Sequence, residues 1–515
     1  AKTTIRPLLM GAIAHSKPVA VYYETSEETR IFVGANDGML HSFDQDGDEV
    51  FAYVPSPSMP ALRAISHSSS AIVFRSSVDG PIELFHLDLN NDGMITSGEK
   101  AYLIFGYRRG ANAYTVLDIS EMDNPRLVQH IGTEGQSWAK PLTFMSNGSY
   151  YLLVPGGYDT CFDADIPSQA SCGVTNGALD PKGNEIKIYR FDESKKDGTN
   201  AFEFVKEYKP SDETGYADWL RASFSSDPIA ISTLDSLNKG AELVYLIDVT
   251  GTVFRINVSS ANYNNWNVDV VYAQRDSAYD VQTKWIVLDH QQRVYANFAI
   301  YPYGTTFPSQ NGSNIVPVPI VTGNLVNPLA TTLNGMVLFY DDKSLNPIAP
   351  TINTGGTDFP NVSSPSEVEG ETYYATAKGW RIPFDKNHDT NGLFMEKGIT
   401  RPLIYYDRWD SNTYTLVWNT YLPAKWTECR NFGTSLNYAR DLWTGKKPQL
   451  GPYSDFDDDV YWSASKSISI ATEIGVLATK KGESIVFSSG DDLFATKPVE
   501  PPNNSAKIIK WYELY

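Results

Sequence analysis

At 515 residues the chain is long enough for several domains or for one large closed β architecture, and its net charge is −19. That charge argues against nucleic acid, whose phosphates it would repel, and suits a surface that takes up cations. Hydrophobic residues at 42% and charged residues at 20% are those of a folded protein with a sizeable core, and no apolar run of 18 residues offers a helical membrane span. Tyr, Phe and Trp (31, 23 and 11) favour strands over helices, and Gly and Pro scattered among short apolar runs supply the turns between them. The chain opens Ala1-Lys2-Thr3-Thr4 with neither a Met nor a signal peptide, as expected of a mature product or an excised C-terminal part.

The first clear unit lies at 31–44, where two β runs flank the turn Asn36-Asp37-Gly38. A related unit at 244–257 aligns with it without a gap, Gly38 on Gly251 and Asp44 on Asn257. Looser copies end at Leu117-Asp118 and Phe191-Asp192, and the steps from Asp44 to Asp118 and from Asp118 to Asp192 are both 74 residues. Recurring hairpins at such a step predict one radial β repeat over 1–515, a propeller whose blades carry long insertions.

Between the first two copies stand Asp88-Leu89-Asn90-Asn91-Asp92-Gly93-Met94-Ile95-Thr96-Ser97-Gly98-Glu99, which satisfy the calcium-loop pattern D-x-[DN]-x-[DN]-G-x5-E. Ca²⁺ is a hard cation that takes six to eight oxygens. Asp88, Asn90 and Asp92 offer side-chain oxygens at alternate positions, Gly93 allows the bend that turns the Met94 carbonyl inward, Thr96 reaches the ion directly or through water, and Glu99 closes the site with both oxygens. A true EF-hand would need an amphipathic helix on each side. The flanks 81–87 and 101–106 are short, rich in β-formers and bounded by Pro or Gly, so they read as strands. An EF-type loop on a β scaffold has no helix pair to open.

Farther on, Asn147-Gly148 between 142–145 and 150–154 is a hairpin signal, and Asn334-Gly335 ahead of 336–340 is read as another. Cys161 and Cys172 flank a Gly/Ser/Asp-rich loop and could close it as a disulfide, with two free thiols the alternative. Cys429 is then left as a small buried side chain. The segment 347–370 reads as a long exposed loop, and the acidic run 455–459 as a solvated loop with a weaker claim to a second cation.

Several strings together resemble the C-terminal module of the PilY/PilC proteins of type IV pili. They are Ala14-His15-Ser16-Lys17-Pro18-Val19, Gly34-Ala35-Asn36-Asp37-Gly38-Met39-Leu40-His41, Phe105-Gly106-Tyr107-Arg108-Arg109-Gly110, Gly135-Gln136-Ser137-Trp138-Ala139-Lys140-Pro141, Gly156-Gly157-Tyr158-Asp159, Cys429 with Gly433-Thr434-Ser435, and Lys510-Trp511-Tyr512-Glu513-Leu514. The resemblance implies a modified seven-bladed β-propeller at the cell surface or pilus tip, associated with the outer membrane. It implies a role in pilus extension and retraction, twitching motility and adhesion, tuned by a bound Ca²⁺. Minor pilins, and a host-cell surface, are the implied partners. The Arg-Gly-Asp motif of part of the family is missing, since Arg109-Gly110 runs into Ala111.

Two readings from other classes compete. Ala439-Arg440-Asp441-Leu442-Trp443-Thr444-Gly445-Lys446 fits a repeat of quinoprotein dehydrogenases, which are also calcium-containing propellers, but it occurs once and the chain has no adjacent cysteines. A carbohydrate-binding propeller would show exposed Trp and Tyr. No G-x-S-x-G, H-E-x-x-H or G-x-x-x-x-G-K-[ST] is present, and His41 inside a hairpin reads as a satisfied core residue, so no catalytic residue is assigned.

Overall fold

A computed structural model describes residues 10–273 apart from 25–27, 68–75, 164–171, 176–177, 213–214 and 233–239, and beyond 273 the strands and their immediate flanks. It is almost wholly β, with one short α-helix, Met59–His67. Seven sheets of three to five strands follow one another along the described chain, with two further two-stranded hairpins inserted in the connections.

The first sheet comprises Val19–Tyr23, Glu28–Gly34, Leu40–Phe43 and Glu49–Tyr53, and the second Ile82–Leu87, Lys100–Phe105, Ala113–Asp118 and Arg126–Gly132. The third takes Leu142–Ser146, Ser149–Pro155, Ile186–Phe191 and Phe202–Tyr208. The fourth takes Ile229–Ile231, Leu243–Ile247, Thr252–Asn257 and Asn267–Ala273. All of these pair antiparallel with their neighbours. Thr351–Ile352 joins the fourth sheet by a parallel pairing, the part of 347–370 that is described. The fifth is built on Asn314–Val321, Asn334–Asp341 and Gly379–Phe384, the sixth on Leu403–Asp407, Thr413–Leu422 and Thr434–Asp441, and the seventh on Gly475–Thr479, Gly482–Ser489 and Asp492–Ala495.

The core lies between sheets rather than within one. Ala101, Leu103 and Phe105 face a cluster shared with Phe32 and Leu40 of the first sheet. Their chain neighbours Tyr102 and Ile104 point the other way, onto Leu152 and Val154 of the third. The same alternation carries Val244 and Leu246 to the third sheet and Tyr245 and Ile247 to the fifth. Met336 and Leu338 then meet Leu416 and Trp418 of the sixth. Side chains alternate along a strand, so a central strand covered on both faces buries apolar residues at successive positions, as Leu243–Ile247 does. Face-to-face stacking of consecutive antiparallel sheets is the packing of propeller blades, with no closed barrel.

The repeat seen in the sequence is the third strand of successive sheets: Asp44, Asp118, Asp192 and Asn257 follow or end that strand in the first four. Each caps the next turn. Asp118, Asp192 and Asn257 accept hydrogen bonds from the amide and hydroxyl of Ser120, Ser194 and Ser259, and Asp44 accepts the amides of Asp46 and Asp48. Gly38 and Gly251 both turn the chain between second and third strands with φ of +95° and +83°, an angle open to glycine. Asn147 and Gly148, at +48° and +76°, form the expected hairpin turn. Asn334-Gly335 does not: both residues pair with Gly379–Phe384, and the strand begins there without a left-handed residue to reverse the chain.

Candidate functional site

The loop 88–99 joins the first two strands of the second sheet, and the pairing of Leu87 with Lys100 closes its base. Both flanks are strands, as their composition predicts. Short polar side chains build the first half by binding their own backbone. Asp88 accepts the amides of Asp92 and Gly93 at 3.2 and 2.8 Å, Asn90 the amide of Asp92 at 3.0 Å, and Asp92 the amide of Met94 at 2.7 Å. Asn90 also donates its side-chain N–H to Asp92 at 2.8 Å. Gly93 has φ +75° with open space around its Cα, so the backbone angle and not crowding selects glycine there.

The second half is pinned to the neighbouring sheet. Ile95, 4% exposed, donates its amide to Tyr22 at 2.8 Å and accepts that of Glu24 at 3.1 Å. Its side chain enters the core between the first and second sheets. Glu99 is equally buried. One oxygen accepts the Leu89 amide at 2.8 Å, and the other accepts the Thr96 amide at 2.9 Å and lies 3.2 Å from His86 Nε2. Burial pushes the Glu99 carboxyl up, but the amides of Thr96 and Leu89, the Thr96 hydroxyl and His86 outweigh it and hold the pKa at about 2. Glu99 is therefore an anion that ties the end of the loop to its start.

Of the residues expected to hold an ion, Asp88, Asn90 and Asp92 share one turn, while Glu99 is engaged with Leu89, Thr96 and His86. Among the described residues no three His, Cys, Asp or Glu side chains form a group that could hold a metal. The expected ligand set also counts Asn90, the Met94 carbonyl and Thr96, and its six donors are all oxygens, the hard chemistry that a Ca²⁺ site would call for. The partnership of His86 with Glu99 is absent from the sequence reading; period-two alternation, which puts His86 on the face of Asp88, was its one signal. Beside the loop a cleft of about 330 Å³ is bounded by Leu89, Glu99, Lys100, Tyr150, Arg190 and Lys196, with Leu89 71% exposed at its edge.

Elsewhere the expectations divide. Cys161 and Cys172 are joined in a disulfide buried with Trp138, Tyr158 and Phe162. The segment carrying the quinoprotein-like repeat ends a third strand, where Asp441 accepts the amides of Trp443 and Thr444. Cys429, the run 455–459 and the terminal Lys510–Leu514 string lie outside the described residues.

Fold and loop together define an all-β protein of propeller type with an EF-type loop between two strands of one sheet. It is similar to the type IV pilus biogenesis factor PilY1 of Pseudomonas aeruginosa, 30% identical over 143 residues, 26% of this chain and 12% of that protein. A PilY1 homolog of Xylella fastidiosa is 30% identical over 192 residues, 32% of this chain and 15% of the homolog. The crystal structure of the Pseudomonas aeruginosa PilY1 C-terminal domain superposes with a TM-score of 0.55 at 17% identity, covering 91% of this chain and 92% of that one. No protein-family model matches. The chain is thus similar in sequence to PilY1 proteins over about a quarter to a third of its length and has the fold of the PilY1 C-terminal domain, and the matched part spans a small fraction of those proteins' length.

Proposed function

We propose that this chain is the propeller module of a type IV pilus biogenesis factor and that a Ca²⁺ ion held by Asp88, Asn90, Asp92, the Met94 carbonyl, Thr96 and Glu99 modulates it. The observation that carries the reading is one chain combining the PilY1 C-terminal fold with an oxygen-lined loop. Gly93 already takes the left-handed angle that such a loop needs, and Ile95 is anchored in the adjacent sheet. The module acts outside the cytoplasm at the pilus, with minor pilins and an attachment surface as its partners, and supports extension, retraction, twitching and adhesion. The ion offsets the like charges of Asp88, Asp92 and Glu99, and anchoring through Ile95 transmits loop order to the first sheet.

The test is a thermal melt of the whole chain with Ca²⁺ and with chelator, paired with motility of cells carrying the same variants. An ion binding the folded form alone adds about 2.7 kcal/mol at a hundredfold excess over Kd. Asp88→Ala with Asp92→Ala should abolish that gain, leave the sheets folded and alter piliation or twitching. A melt indifferent to Ca²⁺ and chelator refutes the ion. Normal pili and motility in a variant that reaches the surface refute its modulating role.

A further inference from the structure

In five of the sheets the first strand begins immediately after a proline: Pro18, Pro81, Pro141, Pro228 and Pro402. The segments ahead of these strands converge. Asp227 accepts the Lys140 amide at 2.7 Å and pairs with Arg401 at 2.5 Å, linking the entries to the third, fourth and sixth sheets. Lys140 reaches Glu83 of the second sheet at 2.7 Å, and His15 meets Asp79 at 2.8 Å between the entries to the first and second. At this pole Arg109 is also matched, with two bonds to Asp163 at 2.9 and 2.7 Å.

Arg108 is the exception. Its guanidinium has no hydrogen-bonded or ion-paired acceptor among the described residues, and it lies over the Trp138 ring at 4.2 Å from the centroid. Asp79 and Asp227 act on it only through space. The platform beneath is fixed: Trp138 donates Nε1–H to Gln136 at 3.0 Å and packs on Tyr158 at 4.1 Å between ring centroids. The Arg108 backbone sits at φ +47°. Among the described residues the other non-glycine residues with positive φ are asparagines, which tolerate that region, whereas arginine is strained there. Burial lowers its pKa to about 10, so it stays charged at neutral pH.

We propose that Arg108, laid on Trp138, is a binding site for a carboxylate group. A stacked guanidinium presents its planar fork already oriented, and that fork matches a carboxylate through two parallel N–H···O bonds. A single negative charge suits the site better than a doubly charged phosphate, because Asp79 and Asp227 stand nearby. The site stands apart from the calcium loop and does not depend on it.

Calorimetric titration of the whole chain with acetate, N-acetylated triglycine, its C-terminal amide and inorganic phosphate tests this. Arg108→Gly removes the guanidinium and relieves the left-handed strain, so it should melt no lower than wild type while losing carboxylate affinity at least about tenfold. Arg108→Lys, which keeps the charge without the fork, should be weakened too. Saturable binding of acetate and peptide alike supports a free acid as ligand. Binding of the acid peptide alone, with its amide silent, supports a chain end. The proposal falls if wild type binds neither, if the amide binds as well as the acid, if phosphate binds more tightly than either carboxylate, or if Arg108→Gly binds undiminished.

Discussion

His41 shows how a residue that looks poised for chemistry is consumed by structure. It is 2% exposed, with Nε2 at 3.0 Å from Asp37 and Nδ1 at 2.7 Å from Glu49. The Asp37 bond raises its pKa, burial opposes that, and Glu49 adds to the rise, leaving it above the ordinary 6.5. Asp37 moves the opposite way: burial would raise it, but His41 and the amides of Gly11 and Met39 hold it below 3.8. A raised histidine stabilises the fold fully below its unfolded pKa and loses that contribution as pH climbs through the folded value. A depressed aspartate stabilises above its unfolded pKa and loses that as pH falls. The pair is therefore at full strength between the two ordinary values, 3.8 and 6.5, and weakens as pH passes either folded value. His41→Gln should cost about 1–3 kcal/mol near pH 6, the range for a charge-assisted hydrogen bond. The difference should shrink as pH rises through the raised folded value of His41, where the wild-type imidazole loses its proton. Thermal melts of both proteins from pH 6 upward check this; a pH-independent gap contradicts it.

Elements were legible where chemistry is local. The second strand of the fourth sheet reads as an uninterrupted apolar run, Leu243–Ile247, because neighbouring sheets bury both its faces. The Asp-ended hairpins betrayed their repetition because the same side-chain cap recurs at each third strand. The 74-residue step drifts once loop lengths vary, since Asn257 follows Asp192 by only 65 residues. The Asn334-Gly335 reading failed because that dipeptide marks a turn only where both residues take positive φ, which pairing with the next strand overrides. Contacts between distant elements left no trace in the sequence. Arg255 of the fourth sheet donates to Asp341 of the fifth at 2.8 Å and to Asp269 at 2.7 Å, all three buried, with the Tyr245 hydroxyl also on Asp341 at 2.6 Å. Arg255→Met leaves two buried carboxylates uncompensated and should cost about 3–5 kcal/mol in urea unfolding. Adding Asp269→Leu and Asp341→Leu should recover much of that loss. A triple variant no more stable than the single one would mean that the network supplies geometry which packing cannot replace.

At the scale of the molecule, the core clusters of the described residues lie between sheets, so stability is shared across those boundaries. The disulfide belongs to this scale because it serves a boundary rather than a strand. Cys161 and Cys172, 2% and 6% exposed, pack with Trp138, Tyr158 and Phe162 of the third sheet's surroundings and with Ala222 and Val249 of the fourth's. Closing so short a loop removes freedom from the unfolded chain by about 2–4 kcal/mol. Such a bond persists in an oxidising compartment, which agrees with the extracytoplasmic role proposed above. Protein recovered from a reducing cytosol should therefore melt lower than protein recovered from the periplasm, and added reductant should bring the second down to the first. Cys161→Ala with Cys172→Ala should melt at the reduced value whatever the source. Alkylation of the unreduced, denatured periplasmic protein should modify one cysteine, Cys429. Modification of all three, or equal melting of oxidised and reduced protein, would remove the disulfide from the account of stability.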